Sequence, residues 1–66
     1  MIQLTKLNKK KFFLNSDLIE AMESTPDTVI TLNNGKLYIV VETPEEVVRL
    51  VTNFRKDLYA SLINER

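Results

Sequence analysis

The 66-residue sequence contains no cysteine, no histidine and no tryptophan, and it has only one glycine and two prolines. Without cysteine or histidine there is no disulfide framework and no usual zinc ligand, and the commonest general base and thiol nucleophile of enzymes are missing. A single glycine cannot build a phosphate-cradling loop. These absences exclude most enzyme classes, so the sequence predicts a non-enzymatic binding or scaffolding protein with no catalytic residues, no cofactor and no metal.

The formal net charge is zero, but basic and acidic residues are segregated in the first 27 residues. The first 15 residues hold four lysines and no acid, and residues 16–27 hold four acids and no base. A dipolar chain is weaker support for nucleic-acid binding than a basic one. The sequence also lacks a signal peptide and any run near the ~18 apolar residues of a membrane span. A cytoplasmic location is therefore expected.

The chain is long enough for one small domain, over residues 1–66, and its core is correspondingly limited. Ordering each residue costs on the order of 1.5 kcal/mol, which the apolar burial of so short a chain barely exceeds. Since disulfides and zinc are excluded, association with a partner or with further copies of the chain is the remaining source of stability.

Alternating and β-branched segments predict an antiparallel β-meander followed by one helix, an α+β fold. The strands are expected at about 2–7, 11–15, 18–24, 28–33 and 36–42, and the helix at about 44–63. A partly closed barrel is one form that such a meander takes.

The stretch NKKKFFLN at residues 8–15 allows two interpretations. Asn8 is a good turn starter, and lysines protect exposed strands from aggregation, so a hairpin tip at residues 8–10 is favoured. The alternative is a nucleic-acid surface in which Phe12 and Phe13 stack on bases. Strand alternation turns one of the two rings inward, which weakens this alternative.

Residues 15–27 are ambiguous between a strand and a short helix. Asn15 or Ser16 followed by Asp17 and Glu20 resembles a helix start. The segment is short, however, and Pro26 ends it. An extended strand near residues 18–24, reached through a tight Asx-type turn, is favoured over a single helical turn.

Asn34-Gly35 lies between two β-branched runs and is a strong hairpin signal, because Gly35 readily adopts a positive φ. A two-residue turn would pair Ile30 with Ile39, whereas a three-residue loop with a bulge would pair Ile30 with Tyr38. Residues 37–41 are apolar on both faces of the strand, so both faces should be covered. The helix can cover one face, and a barrel interior or another subunit would cover the other.

The helix has the clearest start signal in the chain. Thr43 is the N-cap, Pro44 is the first helical residue, and Glu46 completes a capping box. About twenty residues extend ~30 Å, whereas five strands span only ~20 Å. The last turns should therefore overhang the sheet, either as a frayed tail or as a contact helix.

The order and spacing of these elements resemble the flagellar FlbD family, also called the SwrD swarming motility family. The resemblance covers essentially the whole chain, from Met1 to about Val48 with a helical tail of similar length. It rests on Met1-Ile2, Leu4-Thr5, Leu7-Asn8, Phe12, Leu14-Asn15, Asp17-Leu18-Ile19-Glu20, Pro26-Asp27-Thr28, Ile30-Thr31-Leu32, Asn34-Gly35, Tyr38, Val40, Glu42 and Glu46-Val47.

The resemblance implies an accessory factor of bacterial flagellar motility, associated with swarming and with the force that the motor delivers. Partners would be flagellar motor proteins, either stator or rotor components on the cytoplasmic face, and contact with the membrane would be indirect. Family members often have Gly in place of Lys9, so a longer or different first turn is expected here. They also often have Pro in place of Ser16, which favours a non-helical start to residues 17–24.

Two hypotheses of function follow, with a third based on self-assembly. In the first, the protein is an adaptor of the motor, and its partner contacts are Leu58, Tyr59, Leu62 and Ile63 at the helix end, with Lys9, Lys10 and Lys11 meeting an acidic partner. In the second, it is a small β-domain that binds nucleic acid and regulates flagellar gene expression. In the third, the two-faced strand at residues 37–41 joins copies of the chain in a homo-oligomer.

Overall fold

The computed structural model describes residues 1–64, with side chains described as far as Leu62. Over these residues the chain forms β1 (Ile2–Thr5), β2 (Lys11–Leu14), a 3₁₀ turn (Ser16–Leu18), β3 (Ile19–Glu23), β4 (Thr28–Leu32), β5 (Leu37–Val40) and α1 (Pro44–Asn64). The predicted α+β class, with antiparallel strands followed by one helix, is confirmed. All five strands are shorter than predicted, and the apolar residues Leu7, Leu18 and Val41 lie in the adjoining turns and bends.

The strands form two antiparallel sheets, not one closed barrel. β1 pairs with β2, and β3, β4 and β5 form the second sheet in that order. The sheets meet where Lys6 bridges Val40 and the Val41 N–H donates to the Thr5 carbonyl at 2.9 Å. The 3₁₀ turn separates β2 from β3, and no ladder joins these two strands within residues 1–64. The strands therefore do not close on themselves.

The β1–β2 hairpin and the β4–β5 hairpin, called here the first and the second, have three-residue loops of the same construction. In the second hairpin, Gly35 N–H donates to the Leu32 carbonyl at 2.9 Å, and Ile30 pairs with Tyr38. The structure thus adopts the three-residue alternative. In the first, Lys9 N–H donates to the Lys6 carbonyl at 2.8 Å, and Lys9 itself has a φ of 72°. The first turn is therefore longer than the two-residue turn that glycine after Asn8 would suit, as expected. The reason given for it is wrong, since Lys9 adopts the positive φ that Gly35 adopts at 89°.

Residues 15–23 combine the two conformations that the sequence left open. The Asn15 Oδ1 accepts from the Asp17 N–H at 3.0 Å, which is an Asx-type turn, and Ser16–Leu18 form a 3₁₀ turn. The chain then extends as β3, with a register shift between Ile19 and Ala21.

The core lies between the two sheets and the first half of α1. Phe12, Tyr38, Leu50, Val51 and Phe54 are partly buried against it. The buried apolar residues come from β1, β2, β4, β5 and α1, namely Ile2, Leu4, Leu14, Ile30, Leu32, Val40 and Val47.

A reciprocal pair of hydrogen bonds starts α1 and sets its direction. Thr43 N–H donates to Glu46 Oε1 at 2.8 Å, and Glu46 N–H donates to Thr43 Oγ1 at 3.1 Å. These bonds satisfy backbone donors that the first helical turn leaves without partners, and Pro44 has no N–H to satisfy.

Candidate functional site

The C-terminal half of α1 extends beyond the body of the protein. Val47 is only 1% exposed, whereas Leu58 is 53% exposed and Tyr59 and Leu62 are each 66% exposed. Arg55 reaches back to Asp17 at 3.3 Å, and every described side chain beyond Arg55 is exposed. The nine residues from Lys56 to Asn64 correspond to about 14 Å of helix. The end of α1 therefore does not dock on its own sheet.

Leu58, Tyr59 and Leu62 form what we call the tail patch. At 100° per residue these three positions span about a third of the helix circumference, so they lie on one face. The side chain of Ile63, the fourth predicted contact of the helix, lies outside the described residues. Three large apolar side chains exposed on one short helix segment are typical of a protein-binding surface.

The predicted lysine contacts lie far from the tail patch. The Lys9 loop lies at the Thr5 end of β1, and Thr5 is bonded to Glu42, just before the start of α1. Arg55, in the middle of α1, meets Asp17 beyond the opposite end of β2. Helix α1 thus runs away from the lysines, along a molecule that is 45 Å in its longest dimension. The tail patch and the lysines belong to opposite ends of the protein.

The lysines and phenylalanines of residues 9–13 do not form one surface. Phe12 faces inward and stacks on Tyr38 with 5.0 Å between ring centroids, whereas Phe13 is 67% exposed on the other face of β2. The Lys6 Nζ lies 5.3 Å from the Phe12 centroid and 6.0 Å from the Tyr38 centroid. Lys11 pairs with Thr5, on the face opposite to Phe12. The two rings therefore share no platform on which successive bases could stack.

Glu42 joins the segment before α1 to β1, which no local sequence pattern indicated. Its Oε1 accepts from the Thr5 N–H at 3.0 Å and its Oε2 accepts from the Thr5 hydroxyl at 2.8 Å. Burial raises the pKa of Glu42, but the hydrogen bonds from Thr5 and from its own N–H, with the charge of Lys11, outweigh burial and lower the pKa. Glu42 is therefore a charged structural link.

The outer face of the three-stranded sheet is a second exposed apolar surface. Along β5, Tyr38 and Val40 face the core, whereas Leu37 is 62% and Ile39 44% exposed. Val41, just after β5, is 53% exposed. Leu7, at 52% exposed, lines an open groove of about 530 Å³ with Leu37 and Ile39. Within one copy α1 packs on the inner face only, and the described strands form no closed barrel over the outer face. Cover of that face by another subunit stays a prediction.

Within residues 1–64, no group of three or more acidic side chains is placed to hold a metal ion. No helix among these residues is both long and apolar enough to cross a membrane. What the structure offers instead is apolar surface at two places. The structure is thus a small α+β domain with two exposed apolar surfaces.

A scan against family models matches residues 1–59 to FlbD, described as flagellar and swarming motility proteins. The chain belongs to this family, which is not an enzyme family, and is associated with flagellar and swarming motility. No curated protein and no solved structure matches the chain significantly.

Proposed function

We propose that the protein is a non-enzymatic accessory factor that binds a flagellar motor protein through the tail patch, and so supports swarming and motor force. The stator and the rotor are the candidate partners, on the cytoplasmic side. The tail patch carries the proposal: three large apolar side chains are exposed on a helix that extends past its own domain. A helix face of this kind fits a hydrophobic groove in a partner.

Charge at the other end of the molecule adds a second element to the proposal. Lys9 and Lys10 are exposed at the tip of the first hairpin, and we propose that they meet acidic groups of the partner. Charges at an exposed rim steer association and contribute little to affinity. Because the molecule is 45 Å long, one partner would have to be large or repeated to meet both ends.

Photo-crosslinking in motile cells tests the proposal directly. A photoreactive residue replaces Tyr59 in one strain, Lys10 in a second and Ala60 in a third. Ala60 lies on the same exposed helix but points away from the tail patch. We expect a stator or rotor protein to be captured from position 59 and not from position 60.

Substitutions give a matched functional test. Leu58→Glu and Ala60→Glu add the same charge to exposed positions of one helix, so neither should alter the free energy of unfolding by more than about 0.5 kcal/mol. Leu58→Glu should abolish swarming, and Ala60→Glu should leave it intact. Equal swarming in both strains would contradict the proposal. Capture of nucleic acid from Lys10, with no motor protein from any position, would instead support the nucleic-acid hypothesis.

A further inference from the structure

We infer that two copies of the chain associate through the outer face of the three-stranded sheet, packed face to face about a two-fold axis. The occupant of this surface is thus a second copy of the same chain. The inference is independent of the partner proposed for the tail patch, because that patch lies on the helix, away from the outer face.

The composition of the outer face differs from that of a solvent-exposed sheet surface. Two rows of paired residues cross it, Glu23–Val29–Ile39 and Ala21–Thr31–Leu37. A sheet face in contact with water normally alternates apolar inward and polar outward positions. Here β4 and β5 place no charged residue outward, so the face resembles one that is covered.

The area of the face is sufficient for a weak dimer. From their exposed fractions, Leu7, Leu37, Ile39 and Val41, with the neighbouring β3 and β4 positions, offer at most roughly 500 Å² per copy. Two copies would therefore bury about 1,000 Å², the lower limit for a specific interface. Two sheets packed face to face lie about 10 Å apart, as in a β-sandwich. We expect a dissociation constant in the micromolar range, on the order of 10 μM.

The charges around the outer face are compatible with two copies packing through this same face. In a two-fold interface each patch meets the same patch, so a charge near its centre would meet its own kind. Lys6 also lines the groove beside Leu37, but its Nζ lies over the Phe12 and Tyr38 rings. The charged residue on the two rows is Glu23, at the β3 edge. The apolar residues Leu37 and Ile39 are farthest from it, on β5. A two-fold axis near these two residues brings apolar side chains together and leaves the carboxylates apart.

The small core gives a physical reason for the association. Among the described side chains, seven apolar ones are buried, and the sequence has no cysteine or histidine for a disulfide or zinc site. Domains of this size are commonly stabilised by oligomerisation when such links are absent. Association through the outer face would bury both faces of the three-stranded sheet, whereas a single copy buries only the inner one. If the proposed function also holds, each dimer presents two tail patches.

Sedimentation equilibrium over a concentration series tests the dimer. The wild-type mass should rise from 7.7 kDa toward twice that value as the concentration increases. Ile39→Glu should raise the dissociation constant at least tenfold. Val48→Glu is the matched control, because Val48 is 54% exposed on α1, away from the outer face, and it should leave the dimer unchanged. Leu58→Glu should also leave it unchanged.

A cysteine crosslink provides a second measurement that does not depend on how Ile39→Glu folds. The chain has no native cysteine, so Ile39→Cys and Val48→Cys each introduce a single thiol. Mild oxidation should yield a covalent dimer from Ile39→Cys at least tenfold faster than from Val48→Cys. Equal rates, or a wild-type mass that stays at 7.7 kDa at about 1 mM, would overturn the inference. A dimer lost with Leu58→Glu but kept with Ile39→Glu would overturn it too.

Discussion

Lys9 and Gly35 occupy the same position in two hairpin loops of the same construction, with φ values of 72° and 89°. The match includes their neighbours, since the Asn8 and Asn34 side chains accept from the N–H groups of Lys10 and Lys36, each at 3.0 Å. The left-handed conformation is inexpensive for glycine and costs another residue about 1 kcal/mol. The first hairpin therefore contains a local strain that the second hairpin lacks.

Replacing Lys9 by glycine should stabilise the protein. The substitution relieves the backbone strain, although glycine also increases the freedom of the unfolded chain, so we expect a net gain of about 0.5 kcal/mol in the free energy of unfolding. Urea denaturation of Lys9→Gly and wild type measures this gain in the free energy of unfolding. Lys10→Gly is the matched control: it removes the same charge where φ is not positive, and it should destabilise the protein.

The converse change at Gly35 should destabilise the protein by about 1 kcal/mol. A Cβ at this position would meet no atom within 4 Å, so the loss in Gly35→Ala comes from the backbone conformation alone. Urea denaturation of this variant measures the loss. No loss of stability, despite an unchanged hairpin register by NMR, would contradict this assignment of strain.

Glu42 should make the stability depend on acid pH. Its pKa is lowered in the folded protein, so its contribution is present above the pKa of the unfolded chain and is lost as the pH falls through the folded pKa. We expect Glu42→Gln to lower the free energy of unfolding by roughly 1–2 kcal/mol at neutral pH, because both Thr5 donors lose a charged acceptor.

The difference between wild type and Glu42→Gln should shrink toward zero as the carboxyl of Glu42 is protonated. Urea denaturation in a series of buffers from neutral pH downward, through the titration of the Glu42 carboxyl, checks this expectation. Glu45→Gln is a control, since Glu45 is an exposed glutamate close by on α1. A difference for Glu42→Gln that stays constant with pH would show that its charge is not what stabilises the link to Thr5.

Two apolar-to-alanine substitutions in α1 should separate its buried half from its exposed half. Val47 is 1% exposed, so Val47→Ala should cost about 2 kcal/mol of stability through lost burial and a residual cavity. Leu58 is 53% exposed, and Leu58→Ala should cost less than about 0.5 kcal/mol. Thermal or urea unfolding measures both. Comparable losses would mean that the helix end is packed in solution.

The Arg55–Asp17 pair should contribute little to stability. Both side chains are well exposed, at 63% and 77%, and their separation of 3.3 Å is that of a single surface ion pair. Such pairs contribute roughly 0–1 kcal/mol and are screened by salt. A double-mutant cycle with Asp17→Asn and Arg55→Gln gives the coupling directly. A coupling well above 1 kcal/mol would show that this contact positions the second half of α1.

Local signals allowed much of the fold to be predicted. Asn34-Gly35 indicated the second hairpin, and Thr43-Pro44 with Glu46 indicated the start of the helix, because turn and cap chemistry depends on a few adjacent residues. The register around Ile30 was not predictable in the same way, since a two-residue and a three-residue loop suit the same sequence. The longer first turn was predicted, but the positive φ of Lys9 was not, because this conformation has a cost for lysine but is not excluded.

The candidate site was predictable only in part. The length of the helix relative to the sheet indicated an overhang, and the exposed Leu58, Tyr59 and Leu62 agree with it. No sequence pattern indicated where Lys9, Lys10 and Lys11 lie relative to the tail patch. The fold places these lysines and the tail patch at opposite ends of the molecule. The link between Thr5 and Glu42 was missed, because two residues separated by 37 positions carry no local signal of their contact.

By itself, the sequence determined the order of strands and helix, the hairpin positions, the helix start, and the absence of histidine and cysteine chemistry. These properties depend on residue type and on near neighbours along the chain. The tertiary structure alone decided that the strands divide into two sheets, that Glu42 holds Thr5, and that the apolar outer face of β5 is left open. The physical reason is that burial and long-range hydrogen bonds depend on which surfaces meet in space, and one helix can cover only one face of the sheet.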